Sequence, residues 1–344
     1  MPDLSQIDVI APNFKRRLSG VTATVARLVP LQANQIAITT CAPHMPNNVP
    51  NVHWARLLTM SRRKRVWHAR RNVEMIAGLA LKYILRKQLK LLFTSASQRN
   101  HTWLTRALIA RMDAVIATSS KTAEYLDQPA TIILHGIDIA TFCPHPDRIA
   151  LRQTLKLPTK GPLIGCFGRI RAQKGTDVFV TAMIALCQSS PDATVIVMGR
   201  ATEKHTAFLD NLKSQVAAAG LTERIRFLPE VPVWDMAQYY QALDLYIAPQ
   251  RWEGFGLTPI EAMATGCPVV ATRVGAFEEL ITADTGSLIQ PGDANAMQQA
   301  AQNLLDDPAL GDMRHRARSH VETAFDLQRE ADAITAIYQD LLKP

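Results

Sequence analysis

Short apolar runs recur along the whole chain, separated by stretches with a helical period. In the first half these runs are IDVIAP, IAITT, KLLFTSA, DAVIATS and ATIILH; in the second they are PLIGCFG, ATVIVMG, IRFL, DLYIAP and PVVAT. Val, Ile and Ala occupy both alternating positions, which predicts parallel strands covered by helices on both faces. TATVARLVPL, VEMIAGLALKYILRKQ and TWLTRALIARM read as the intervening helices, and from about Ala294 onward the chain reads as helix after one last run, GSLI. The alternation predicts an α/β fold with two doubly wound domains. FCPHPDRIALRQTLKLPTKGP, with four prolines and no strand pattern, divides the two series and reads as a linker.

The 344 residues suit two domains better than one core. A hydrophobic fraction of 47% with 20% charged residues is an ordinary globular mixture. The N-terminal MPDLSQIDVIAPN lacks a signal pattern, and no apolar run approaches the ~20 residues that span a bilayer. The five cysteines are scattered, without CxxC pairs or histidines at ligand spacing, so they read as buried thiols of a reducing cytoplasm.

Charge is unevenly spread. Residues 1–150 carry 20 Lys+Arg against 8 Asp+Glu, a net +12, whereas the remainder nets −4. The densest basic piece is SRRKRVWHARR, residues 61–71, with Trp67 set among its cations. Such a cluster suits an anionic membrane surface, a nucleic-acid backbone or a solvated helix face.

Candidate chemistry gathers where the second series of strands ends. PLIGCFG is followed by the basic loop Arg169–Gly175 opening a helix, ATVIVMG by Arg200, and DLYIAP by QRWEGFG. Doubly wound sheets bind ligands at these carboxyl ends, and cations, glycines and helix N-termini together suit an anion. Neither a GKS/GKT phosphate loop nor a GxGxxG fingerprint occurs, which weakens kinase and dehydrogenase readings. In EGFGLTPIE, Thr258-Pro259-Ile260-Glu261 reads as a capping box, with Thr258 as N-cap and proline at the first helical position. Capping leaves Glu253, Gly254 and Gly256 unexplained.

The second half resembles the retaining GT-B glycosyltransferases of family 4. The matching residues are Gly168-Arg169 with Lys174-Gly175, Ala242–Tyr246 leading to Pro249, Glu253–Leu257 with Glu261, then Ala262–Ala271, Gly275 and Glu278–Leu280. The first half matches through Gly20-Val21 and through His135–Asp138 near the hinge. FTSASQRNHTWLTRALIARMDAVIATS and the compact length are similar to bacterial lipopolysaccharide-core mannosyltransferases of the rhizobial type.

The resemblance implies two Rossmann-like domains facing a central cleft, with C-terminal helices packing back toward the first domain. Its boundaries fall at 1–142 for the acceptor-side domain, 143–161 for the linker, 162–325 for the donor-binding domain and 326–344 for the returning helix. It implies hexose transfer, with mannose from GDP-mannose favoured over UDP-sugars and a lipopolysaccharide core as acceptor. A UDP-sugar hexosyltransferase is the alternative, with an epimerase or a non-enzymatic nucleic-acid binder behind it. Arg169 and Lys174 would bind the diphosphate and stabilise its growing charge, Glu261 would hold the ribose, and Glu253 would orient the donor sugar. Backbone N–H groups of Gly254, Phe255, Gly256 and Leu257 would line the donor, Arg226 would lie near the base, and Gly20 would let a helix N-terminus approach the phosphates. Where many relatives carry an acceptor-facing histidine, this chain offers Gln98, Arg99 and His101. No metal, cofactor or nucleic acid is expected. Peripheral attachment to the cytoplasmic face of the inner membrane is assigned to Arg62, Arg63, Lys64, Arg65 and Trp67.

Overall fold

The computed structural model describes residues 3–15 and 20–344. In chain order the first series is β1 (Val9–Pro12), α1 (Gly20–Gln32), β2 (Ile38–Cys41), α2 (Ala55–Thr59), β3 (Arg65–Ala69) and α3 (Asn72–Leu79). It continues with β4 (Leu89–Ser95), α4 (Trp103–Ile109), β5 (Ala114–Ala117), α5 (Ser120–Ala123) and β6 (Thr131–Ile132). The second begins with α6 (Arg148–Thr154), β7 (Leu163–Phe167), α7 (Thr176–Ser189), β8 (Thr194–Met198), α8 (Thr206–Ala218) and β9 (Ile225–Leu228). Then come α9 (Met236–Ala242), β10 (Leu245–Ala248), α10 (Thr258–Ala264), β11 (Val269–Thr272), α11 (Phe277–Leu280) and β12 (Gly286–Ile289). Three helices follow: α12 (Ala294–Leu305), α13 (Leu310–Ala324) and α14 (Leu327–Leu342).

The chain forms two compact units, one from Met1–Gly136 with Leu327–Pro344 and the other from Ile137–Asp326. Each holds a six-stranded sheet, ordered β2-β1-β3-β4-β5-β6 in the first and β12-β11-β10-β7-β8-β9 in the second. Every pairing is parallel, as strands apolar on both faces require. In the first unit α1 and α14 pack on one face through Val25, Leu28, Ala331 and Ile334. Met75, Leu81, Leu108 and Met112 of the α3–α4 side pack on the other. Glu330 of α14 accepts from His135 Nδ1 (2.7 Å) and from the Gly136 N–H (2.8 Å), so the last helix anchors the end of its own unit.

The basic segment 61–71 requires a correction, because it contains β3, a central strand that its charge conceals. Val66 and Trp67 point into opposite cores, and Arg65, Trp67 and His68 are fully buried. Arg65 donates to the carbonyls of Leu4, Ile7, Ser61 and Arg63 and to the Ser61 hydroxyl, at 2.8–3.2 Å. The Trp67 indole donates to the Glu74 carbonyl at 2.8 Å. Arg63 pairs with Asp8, and Lys64 donates to the Lys343 carbonyl. Arg65 and Trp67 are therefore core groups, unavailable to a membrane. Arg65→Ala is expected to destabilise the protein by about 2–3 kcal/mol in urea unfolding, because the buried carbonyls of Leu4 and Ile7 would lose their side-chain donor.

In the second unit, the proline-rich 143–161 stretch is folded onto the sheet through α6. Arg148 and Arg152 of that helix both bind Asp244, which also accepts from the Leu163 N–H at 2.8 Å. Burial alone would raise the Asp244 carboxyl, but the two guanidinium groups outweigh it and hold the acid below its ordinary range. Arg318 of α13 donates to the carbonyls of Ile139, Phe142 and Ala264, fastening the entry of this unit to the end of α10. Among the described residues, no helix is long and apolar enough to cross a membrane.

Candidate active site

β7 ends at Phe167, and the chain turns through Gly168 at φ +136° into a basic loop. Ile170 is buried and anchors this loop, while Arg169 stays exposed and, among the described residues, meets no protein acceptor. A single 3₁₀ turn over Ala172–Lys174 then leads to Gly175 at φ +70°, where α7 starts. A side chain at Gly175 would overlap the Pro249 carbonyl, so only glycine lets this loop lie against the loop following β10.

Arg251 clamps the two loops. Its guanidinium makes a bidentate bond to Asp177 (2.6 and 2.8 Å) and donates to the Ala172 carbonyl at 2.6 Å, while its backbone N–H reaches the Gln173 carbonyl at 3.0 Å. Burial would raise the Asp177 carboxyl, but Arg251 and the N–H groups at the start of α7 bring it below its usual range. With the loops locked together, the Lys174 ammonium pairs with Glu253. The other Glu253 oxygen accepts from the Gly254 N–H at 3.0 Å.

The bend after Glu253 is fixed from behind. Phe255 is buried, and its carbonyl accepts from the Ala276 N–H at 3.1 Å. Gly256 adopts φ +94°, and a Cβ there would run into the Phe277 ring and the Glu253 side chain. Gly256 thus serves backbone shape and close approach, which capping did not explain. α10 begins at Thr258 with Leu257 at the N-cap position in helical conformation and no side-chain cap, so Thr258 is not the cap. Glu261 instead accepts from the Tyr240 hydroxyl at 2.9 Å. Tyr240 is fully buried against Phe167, with ring centroids 4.9 Å apart, which ties Glu261 to the end of β7. Burial, with the Glu261 charge beside it, pushes the Tyr240 phenol well above its ordinary value and keeps it a donor.

Arg169, Lys174, Glu253–Leu257 and Glu261 therefore all stand on the carboxyl edge of one sheet. Arg226 does not join them. It is the second residue of β9, and its Nε donates back to the Glu223 carbonyl (2.9 Å), toward the amino end of the strand.

In the first unit, Gly20 opens α1, and no atom of the described residues lies within 4 Å of where a Cβ would sit. Gln98 donates to Ser119 (3.3 Å), Arg99 is exposed, and His101 is half-buried, its Nε2 without a partner among the described residues. Burial, helped by Arg99 and Arg106, lowers the His101 imidazole below its ordinary value and keeps it neutral. Sequence reasoning missed a groove of about 730 Å³ at the ends of β1 and β2, lined by Phe14, Cys41, His44, His53 and Trp54 among others. Its only sequence signal is the clustering of two histidines and a tryptophan in the proline- and asparagine-rich 42–54 loop. Among the described residues, no three His, Cys, Asp or Glu side chains come together to hold a metal.

Comparison with known proteins gives the family. The family model "Glycosyl transferases group 1" matches residues 147–322, which include every residue of the edge cluster. The lipopolysaccharide core biosynthesis mannosyltransferase LpsB of Rhizobium meliloti (strain 1021) is 50% identical over 356 residues, covering 100% of both chains. The enzyme of the same description, LpcC, from Rhizobium leguminosarum bv. viciae is 50% identical and covers 99% of each. The crystal structure of Anabaena Alr3699/HepE in complex with UDP gives a TM-score of 0.85 at 19% identity, over 97% of this chain and 100% of that one. At that identity what is shared is the fold, the α/β architecture of GT-B glycosyltransferases. With the family model matching over half its length and two relatives matching it end to end, this chain belongs to the group 1 glycosyl transferases.

Proposed function

We propose that the enzyme transfers mannose from GDP-mannose, with retention of configuration, to a lipopolysaccharide core acceptor at the cytoplasmic face of a membrane. The observation that carries this reading is 50% identity, end to end, with two enzymes named as lipopolysaccharide core biosynthesis mannosyltransferases. In it, Arg169 and Lys174 take the donor diphosphate. As the glycosidic bond breaks, negative charge accumulates on the leaving phosphate, and two pre-set cations stabilise that charge more than the ground state. The backbone N–H groups of Gly254, Phe255, Gly256 and Leu257 line the donor. Glu253 accepts from hydroxyls of the sugar, and Glu261, held by Tyr240, accepts from the ribose. Gly20 gives the phosphates access to the start of α1, and Gln98, Arg99 and His101 serve the acceptor. A neutral His101 imidazole suits hydrogen bonding to a sugar hydroxyl.

Thermal unfolding with GDP-, UDP- and ADP-sugars tests the donor, since a ligand at 100 times its Kd stabilises by ~2.7 kcal/mol. GDP-mannose is expected to give the largest shift, and the product with a core acceptor is expected to show a retained anomeric configuration by NMR. A larger shift with a UDP-sugar would overturn the donor assignment. Since Arg169 and Lys174 supply the positive charge, turnover is expected to survive exhaustive EDTA treatment; a strict requirement for manganese or magnesium would overturn their role.

A further inference from the structure

We propose that the outward face of α3 and α4 docks the first unit on an anionic lipid bilayer. This deepens the reading above, which takes a lipid-linked acceptor. Both helices pack inward on the same core through Met75, Leu81, Leu108 and Ile109. Their starts are joined by the Asn72 side chain donating to Thr105 at 2.7 Å. The opposite side of α3 is apolar where solvent would favour polar residues. Val73, Ile76, Tyr83 and Ile84 follow helical spacing and are 54%, 47%, 62% and 77% exposed. At the start of α4, Trp103 is 80% exposed and Leu104 is 42% exposed. Scattered exposed apolar residues need no explanation, but a stripe along one helix continued by a tryptophan on its neighbour does.

The backbone is shaped to present this stripe. α3 does not simply stop: it widens into a π-turn over Ala80–Ile84, closed by the Leu85 N–H to the Ala80 carbonyl at 3.2 Å. Arg86 then adopts φ +50°, rare for a residue with a side chain, and the Lys87 N–H returns to the Leu81 carbonyl at 2.9 Å. Tyr83, Ile84 and Leu85 are consequently exposed in succession.

Charge selects the partner. Residues 72–112 contain seven Lys and Arg and one acid, Glu74. Glu74 is fully buried and holds Arg71, so no carboxylate of this segment faces outward. Arg86, Arg99, Arg106 and Arg111 are exposed around the apolar stripe. Arg106 lies 3.5 Å from the exposed Asp127. An apolar stripe bearing Trp and Tyr inside a rim of arginines complements acyl chains beneath phosphate headgroups. A protein partner would need its own acidic rim, and a second copy of this face would bring like charges together.

The test uses the full chain and sedimentation with vesicles of phosphatidylcholine alone or with 30% phosphatidylglycerol. Wild type is expected to bind the mixed vesicles and to be released by salt. Tyr83→Gln, Ile84→Gln and Trp103→Gln combined should lower the bound fraction at least tenfold, and Arg86→Gln with Arg111→Gln should lower it several-fold. Both variants should keep the wild-type thermal shift with GDP-mannose and turnover on a detergent-solubilised acceptor, which separates failure of docking from failure of the transfer reading. Undiminished binding by the triple variant, or equal binding of wild type to both vesicles, would overturn the proposal. So would a concentration-dependent dimer that the triple variant dissociates without changing vesicle binding, since the face would then belong to a copy–copy contact.

Discussion

Lys174→Ala is expected to lower kcat by about 10²–10³-fold while changing stability by less than ~1 kcal/mol. The stability side follows from geometry: the ammonium is 24% exposed and its partner Glu253 is 18% exposed, so the ion pair is shielded only in part. The rate follows from the charge it opposes. Without Lys174, the donor diphosphate would meet Arg169 alone and would face an unneutralised Glu253 carboxylate. This predicts a coupling. Adding Glu253→Gln to Lys174→Ala should recover part of the lost affinity for GDP, since one repulsive charge is removed, yet should not recover turnover. If the double variant bound GDP no better than Lys174→Ala, the pair would have no bearing on anion binding. Glu261→Gln is expected to weaken GDP and GDP-mannose alike, whereas Glu253→Gln alone should spare GDP. Equal loss of GDP affinity in both would overturn the division between ribose and sugar.

Asp244→Ala is expected to destabilise the second unit by about 3–5 kcal/mol, far more than a surface ion pair would. The substitution strands two guanidinium groups, and Arg152 is only 4% exposed, so one of them cannot be rehydrated. It also removes the acceptor for the Leu163 N–H at the start of β7. The pH dependence has a definite sign. A carboxyl held below its ordinary value stabilises the fold fully above pH ~4 and loses that contribution as the pH falls through its folded value. Wild type should therefore lose stability below pH ~4 with a steeper slope than the variant, measured as urea midpoints across that range. Parallel slopes would show that Asp244 is not ionised and paired in the fold.

What could be read in the sequence depended on where each residue's partners lie. The apolar strands were legible because burial on both faces leaves a local trace. EGFG was legible as special because a φ of +94° at Gly256 demands glycine whatever surrounds it. β3 was not, because the carbonyls that accept from Arg65 include those of Leu4 and Ile7, and His68 is held by Thr94 and Tyr338. No window along the chain shows groups so far apart. Asp244 was matched only as part of a family pattern, and its role rests on Arg148 and Arg152, which lie in a stretch that reads as a linker. The Arg226 side chain was not legible either, since its Nε donates to the Glu223 carbonyl, a contact that its strand position does not announce.

The first unit is completed by residues 327–344, after the whole of the second unit has been threaded out of its middle. During translation the ribosome must therefore deliver 137–326 before α14 can cover Val25, Leu28 and Val29 on α1. The earliest part of the chain to emerge is the last to close its core. Its six-stranded sheet, complete by Ile132, must wait with one apolar flank open, the state in which chaperones bind and aggregation begins, while the second unit can finish folding first.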